Sequence, residues 1–344
     1  MKSKVIAALA ISALTTALVH AQPTSIDLSQ YVRVGRYSLP EPSNTTPPNS
    51  ENYLAQEASA VTYNKDTDTL FITGDGSRAI VQVSKTGQLI DSMSLALQPG
   101  APQGTAFYDT EGLTYVGNGK FVMVEERNRT ANLFTYAANT TLGLSGAQQV
   151  KLGTTIGNIG LEGLSYDPKT GGYIFVKESG PQGIFQTTIN FAAGTASNGS
   201  ASTVNSVNLF NPALAGTLDF ADVFALSNIP SLLPAQLDSL LVLSQESGKI
   251  LQMSRNGGIL SSLTLEPTPG DLLSIPDIQN EGLTMDLNGM LYVVNENGGG
   301  DINHPELWVY APIPEPSTYA AIVGFVTLGY AAVARRRSKT AQAA

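Results

Sequence analysis

One five-residue motif recurs along this chain, and its spacing constrains the fold more than any other feature. It reads Glu111-Gly-Leu-Thr-Tyr115, Glu162-Gly-Leu-Ser-Tyr166 and Glu281-Gly-Leu-Thr-Met285, with Ser59-Ala-Val-Thr-Tyr63 and the degraded Ala221-Asp-Val-Phe-Ala225 in the same frame. The copies start at 59, 111, 162, 221 and 281, so the steps are 52, 51, 59 and 60 residues. A period of this length marks one supersecondary unit per repeat. After each copy comes a second apolar run that ends in an acid: Asp75, Glu126, Glu178, Glu246 or Glu296. Turn residues such as Asp167-Pro-Lys-Thr-Gly-Gly172 and Asp286-Leu-Asn-Gly289 join the two runs as hairpins. A third run follows in every unit, and a short fourth is visible at Leu89 to Leu95 and at Ile259 to Leu265.

Apolar runs are short, turn residues are frequent, and no stretch carries several turns of amphipathic helix, so the class is all-β. Four-stranded units at this period stack radially as the blades of a β-propeller, here five. The last unit lacks a fourth run, while a spare one, Tyr31 to Leu39, stands at the N-terminus. Pairing the two would close the ring and cover both open edges. The two longer steps hold a Ser, Asn and Gly-rich segment at Ala192 to Ser206 and a Pro-bearing insertion at Ser227 to Gln236.

The two ends have a different character. Lys2 and Lys4, an apolar run from Val5 to Val19, and small residues around His20 have the three-part build of a secretory signal cleaved after Ala21. Near the other end, Pro314-Glu315-Pro316 precedes an apolar stretch, Tyr319 to Ala334, and the cluster Arg335-Arg336-Arg337. That order resembles the PEP-CTERM sorting tail. The resemblance implies a short transmembrane helix, transient inner-membrane anchoring, cleavage near the Pro-Glu-Pro by an exosortase, and a host that makes extracellular polysaccharide. The expected organisation is a signal peptide at 1–21, a propeller at 22–312 and a sorting tail at 313–344. The expected destination is the cell envelope, outer surface or extracellular matrix.

Removing the six basic residues and one acid of these ends from totals of 19 and 28 leaves 13 basic and 27 acidic residues, a net charge near −14. Such a chain repels nucleic acid and anionic lipid and favours cations or neutral glycans. With no cysteine, disulfides and thiolate chemistry are excluded.

With the units laid out, the chain from Tyr31 to Tyr310 resembles the SdiA-regulated family, itself distantly similar to NHL-repeat propellers. The resemblance is carried by Glu111-Gly-Leu-Thr-Tyr115 with Val124-Glu-Glu-Arg127, Gly160-Leu-Glu-Gly-Leu-Ser-Tyr-Asp-Pro168 with Val176-Lys-Glu178, Leu243-Ser-Gln-Glu-Ser247 and Gln279-Asn-Glu-Gly-Leu283. It implies a five-bladed propeller that binds calcium and has no established enzymatic activity. The fourth unit departs from the pattern, with Asp222 in place of the motif glycine.

Antiparallel pairing places the start of each first strand beside the end of the second. Glu111, Glu162 and Glu281 are therefore expected at one mouth of the ring with Asp75, Glu126, Glu178, Glu246 and Glu296. Converging carboxylates repel unless a cation or a basic side chain compensates them. Calcium suits an all-oxygen donor set, with amides such as Asn280 and Asn295 in reach, whereas zinc wants Cys or His. Lys177 and Arg127 are the alternative source of compensation. His304 has no serine partner in the pattern, and Tyr63, Tyr115, Tyr166 and Trp308 read as packing residues. Two functions stay open: a non-catalytic surface or matrix protein that binds an extracellular glycan or protein, or a metal-dependent hydrolase of phosphoesterase or lactonase type.

Overall fold

The computed structural model describes residues 22–40, 54–265, 279–296 and 304–313. The chain divides into two units, Met1–Ala311 and Pro312–Ala344. The proposed signal at 1–21 and the sorting residues Pro314, Glu315, Pro316, Arg335, Arg336 and Arg337 lie outside the described residues.

Strand β1 (Tyr31–Ser38) precedes five antiparallel sheets. The first blade is β2 (Ala58–Asn64), β3 (Thr69–Gly74), β4 (Ala79–Val83) and β5 (Leu89–Leu95). The second is β6 (Thr110–Gly117), β7 (Lys120–Glu125), β8 (Thr130–Thr135) and β10 (Gln148–Lys151), while the short β9 (Thr141–Leu142) crosses over to pair parallel with β5. The third is β11 (Leu161–Asp167), β12 (Gly172–Lys177) and β13 (Gly183–Thr187), followed by a small hairpin, β14 (Ile189–Asn190) and β15 (Thr195–Ala196). That hairpin extends into the Ser, Asn and Gly-rich segment. The fourth is β16 (Asp222–Ala225), β17 (Ser239–Ser244), β18 (Lys249–Ser254) and β19 (Ile259–Thr264). The fifth is β20 (Asn280–Met285), β21 (Leu291–Asn295) and β22 (Glu306–Pro312), and β1 completes it at the outer edge, so the N-terminal strand closes the ring as the sequence implied.

The innermost strands β2, β6, β11, β16 and β20 touch in that cyclic order around the axis. Each is the edge of its own sheet, so half of its N–H groups face away from the ladder and need other acceptors. The fourth motif residue supplies them across the blade boundaries. Thr62 Oγ1 accepts from Tyr115 N at 3.1 Å, Thr114 Oγ1 from Tyr166 N at 2.9 Å, Ser165 Oγ from Ala225 N at 3.0 Å and Thr284 Oγ1 from Tyr63 N at 3.2 Å. In the fourth blade this position is Phe224, which has no hydroxyl, and a different residue takes over: Asp222 Oδ2 accepts from Leu283 N at 2.8 Å.

Packing between blades is apolar and buries most positions of the three inner strands of each blade, while outer strands such as β5 and β19 stay half-buried or exposed at most positions. Phe71, Tyr115, Phe121, Phe134 and Tyr136 form a run of ring contacts between the first two blades, with centroids 4.6 to 6.2 Å apart. Trp308 is fully buried and its Nε1 donates to Glu306 at 2.8 Å, while Arg33 lies over its ring at 4.5 Å and Arg36 pairs with Glu306, which ties β1 to β22. The insertion of the fourth unit forms short turns whose Leu226, Ile229 and Leu232 join the core with Ile26 and Leu28. It also clasps the incoming chain, since Leu233 N donates to Thr24 O at 2.8 Å and Ser231 Oγ to Pro23 O at 2.8 Å.

The transmembrane helix expected from the tail, and the transient inner-membrane anchoring that followed from it, require correction. No helix among the described residues is long and apolar enough to cross a membrane. The stretch 319–334 on which that expectation rested lies outside the described residues.

Candidate functional site: a carboxylate-lined cavity

The motif acids occupy bulges at the entry of the inner strands. Pairing of first and second strands skips Ser59, Glu111 and Glu281, where the register shifts between Ala58 and Ala60, Thr110 and Gly112, and Asn280 and Gly282. In the third blade the shift runs from Leu161 to Leu164 and frees both Glu162 and Gly163. A bulge re-aims its extra residue, and here the freed glutamates turn into the mouth of the ring.

The glycine that follows is needed for close approach. A Cβ on Gly163 would lie 2.2 Å from Asp222 Oδ1 and 2.5 Å from Asp222 Cα; one on Gly282 would lie 2.8 Å from Ser59 O and from Val61 N. The inner strand of the neighbouring blade passes where a side chain would stand.

Asp75, Glu111, Glu126, Glu162, Glu178, Glu246, Glu281 and Glu296 all line one cavity of about 350 Å³. Glu57 joins them, and the amides of Asn158, Gln245 and Gln279 complete the polar wall. Nine carboxylates thus face a common space whose described lining contains no Lys, Arg or His. The amides are not the two expected from sequence: Asn280 and Asn295 are a buried register pair outside the lining.

Two sets of acids are close enough to share an ion. One carboxylate oxygen from each of Asp75, Asp109 and Glu111 lies within 4.8 Å of the others, and the same holds for Glu126, Glu162 and Glu178. Burial, followed by neighbouring carboxylates, raises these groups. Asp75 is pushed up to about 7 by burial, Glu57 and Asp109. Glu126 is pushed up to about 7, first by burial and then by its hydrogen bond with Asp109. Glu281 rises to about 8 through burial and the charge of Asp75, Asp219 and Glu178. Glu111 and Glu162 are raised well above the ordinary carboxylate range, and Glu178 is raised, in each case chiefly by burial.

The basic residues compensate only part of this charge. Arg127 pairs with Asp109 and, at 3.5 Å, with Glu126, and its guanidinium also reaches Tyr108 and Asn158. Buried Lys177 turns its amine to the carbonyls of Ser179 and Pro181 instead, and burial lowers its pKa.

Sequence reasoning missed Glu57, Asp109 and Asp219. All three stand two residues ahead of a motif start, at 59, 111 and 221, so the signal was present as a spacing. Glu57 and Asp109, and Gln279 at the same place in the fifth unit, adopt left-handed backbone with φ of 48°, 59° and 51°. The Asp219 carboxylate accepts from Gln245 N at 3.1 Å and Glu246 N at 3.2 Å, holding the end of β17.

At the far ends of the inner strands, Tyr63, Tyr115 and Tyr166 line a second, mainly apolar cavity of about 430 Å³ with Phe224, Met285 and Leu287. Tyr115 is also part of the core between the first two blades. His304 is exposed.

The sequence pattern of SdiA-regulated proteins matches residues 46–298. Similar solved structures include glutaminyl cyclase from Myxococcus xanthus, 10% identical with a TM-score of 0.49, over 83% of this chain and 97% of that one. A luciferin-regenerating enzyme matches at 10% identity and a TM-score of 0.45, over 82% and 95% of the two chains. A catalytically inactive virginiamycin B lyase from Staphylococcus aureus matches at 13% identity and a TM-score of 0.37, over 74% of this chain and 66% of the lyase, so the chain spans just under two thirds of that protein's length.

Proposed function

Because this chain belongs to the SdiA-regulated family, and because its repeats converge on one acidic well, we propose that it is an exported calcium-binding propeller that binds a partner rather than transforming a substrate. The observation that carries this reading is the cavity with nine carboxylates and three amides in its described wall and no basic residue. So many carboxylates converging on one space, with Glu126 and Glu162 buried, are tolerable only when protonated or held by a cation.

The donor set fits a hard cation. Every available ligand atom is oxygen, and Asp75 Oδ1 is shut off from solvent with no hydrogen-bond partner. Calcium accepts six to eight such oxygens in flexible geometry, which suits a ring of glutamates drawn from all five blades better than the strict octahedron of magnesium. Bound there, it would join blades that otherwise repel at this mouth. Asp75, Asp109 and Glu111 would hold it on one side, or Glu126, Glu162 and Glu178 on the other.

Export rests on the N-terminal pattern, and exosortase processing at Pro314-Glu315-Pro316 rests on the resemblance of the tail alone. The partner class that fits a strongly acidic exported surface is a neutral glycan or a protein. A second reading, a metal-dependent hydrolase, draws on Asp75 and Glu126, whose pKa near 7 would suit a general base. Calorimetric titration with calcium tests the main reading, and heat of binding that EDTA abolishes is the expected result. Absence of binding to the full chain would reject it, and turnover of a nitrophenyl phosphate or a lactone by the calcium-loaded protein would select the hydrolase.

A further inference from the structure

The degraded fourth motif is where the chain departs from its own pattern, and the departure has a structural use. Four of the five motifs carry Gly or Ala at the second position, namely Ala60, Gly112, Gly163 and Gly282; the fourth carries Asp222. Asp222 is buried at 5% exposure and holds backbone on three blades. Its Oδ1 accepts from Val223 N at 2.7 Å, its Oδ2 accepts from Leu283 N at 2.8 Å, and Leu164 N–H donates to it as well. Its side chain occupies the space that Gly163 leaves by having none.

Leu164 and Leu283 each lie two residues beyond a cavity glutamate, Glu162 and Glu281. Both are the places where regular pairing resumes or has just resumed after the bulge that turns that glutamate inward. A bulge leaves backbone groups without ladder partners, and its direction depends on what they bond to instead. The only acid at this motif position therefore fastens the two bulges on either side of it, while its own blade offers Ala221 in place of a glutamate.

We propose that Asp222 is a positioning residue of the cation site, fixing the backbone from which Glu162 and Glu281 reach the ion. This rests on the reading of the cavity as a calcium site. Residues that orient metal ligands without touching the metal change affinity by about 10- to 100-fold when removed.

The test is calorimetric titration of the full chain with calcium chloride, comparing wild type with Asp222→Asn, Asp222→Gly and Leu251→Ala. Glycine restores the motif residue but removes every acceptor, so its affinity should fall by about 10-fold or more. Asparagine keeps one oxygen and loses the charge, so it should fall between glycine and wild type. Leu251 is a buried core residue of the fourth blade; its replacement lowers the melting temperature and should leave calcium affinity within about twofold of wild type. If both Asp222 variants lose affinity equally, charge alone is responsible and the positioning role is wrong. If either binds as wild type does, it is wrong as well. Should Asp222→Gly fail to fold, Asp222→Ala, which also removes every acceptor, takes its place in the comparison with Asp222→Asn, with a loss of about 10-fold or more expected and an unchanged affinity overturning the proposal. Wild type that shows no calcium heat at all removes the cation site itself and the proposal with it.

Discussion

Raising the pH should destabilise the metal-free protein, and calcium should reverse the effect. The perturbation acts on carboxyls that the fold holds protonated. Glu281 is raised from 4.5 to about 8, Glu126 from 4.5 to about 7 and Asp75 from 3.8 to about 7. In the unfolded chain these groups ionise near their ordinary values. Between roughly pH 4.5 and 8 the folded state therefore binds more protons than the unfolded one, and stability declines as pH rises through that window. A carboxyl held protonated to about pH 8 instead of 4.5 is linked to roughly 5 kcal/mol at full strength. The mouth is open to water and the acids titrate as a set, so we expect a net fall of about 3 kcal/mol between pH 5 and pH 8.5. For a domain of this size that corresponds to roughly 6–12 °C in melting temperature.

The assay is thermal unfolding of EDTA-treated protein across that range, repeated in saturating calcium. Calcium displaces the shared protons, so its stabilisation should be small at pH 5 and large at pH 8.5. Calorimetry at pH 7 in two buffers of different ionisation enthalpy should show proton release on binding. A metal-free melting temperature that is flat or rising from pH 5 to 8.5 would refute the reasoning, because the cavity acids would then be ionised without compensation.

Three further outcomes follow from the same structure. Gly163→Ala places a Cβ 2.2 Å from Asp222 Oδ1 and 2.5 Å from its Cα; denaturant unfolding should show a loss of about 3 kcal/mol, while Gly157→Ala, which meets nothing within 4 Å, should stay within about 0.5 kcal/mol. Replacing Glu111, Glu162 and Glu281 together by Gln should abolish the calcium-induced rise in melting temperature and raise the metal-free value at pH 8, because it removes the repulsion along with the ligands. Deleting residues 31–39 uncovers β22 and strips Arg33 and Arg36 from the Trp308 ring, so light scattering should report aggregation; a soluble truncation of equal stability would contradict the closure.

The period of the fold was legible because each blade must bury the same inner strand, and that demand writes the same five residues at each turn of the ring. Closure by Tyr31 to Ser38 could be read from an unmatched strand at one end and a missing one at the other. The rim acids were legible from antiparallel pairing alone. What the motif glycine does was not legible. Gly112, Gly163 and Gly282 lie within strands without positive φ, and their role shows only when the neighbouring backbone is in place. The bulges were hidden for the same reason, since a skipped residue appears only once both strands are paired.

The residues that sequence reasoning missed also explain how a ring with uneven motifs supplies acids from every blade. The first and fourth units carry Ser59 and Ala221 where the others carry Glu, and on the motif alone both would leave gaps in the charge. These are the units with an acid two positions earlier, Glu57 and Asp219, while the third and fifth units, which keep their glutamate, have Gly160 and Gln279 there. The second unit has both Asp109 and Glu111, and it is the unit whose Arg127 pairs with the extra acid. A bulge glutamate and, as Glu57 shows, an acid two residues ahead of the motif start are thus two ways of bringing a carboxylate to the same mouth from one strand entry. Only Glu57 of the earlier-position acids lines the cavity; Asp219 instead holds the backbone of Gln245 and Glu246, which do. Each blade therefore contributes at least one acid from its first strand or the lead into it and one from the end of its second, Asp75, Glu126, Glu178, Glu246 or Glu296. What the chain repeats is the delivery of negative charge to the axis, and the motif is one of the two backbone routes by which it does so.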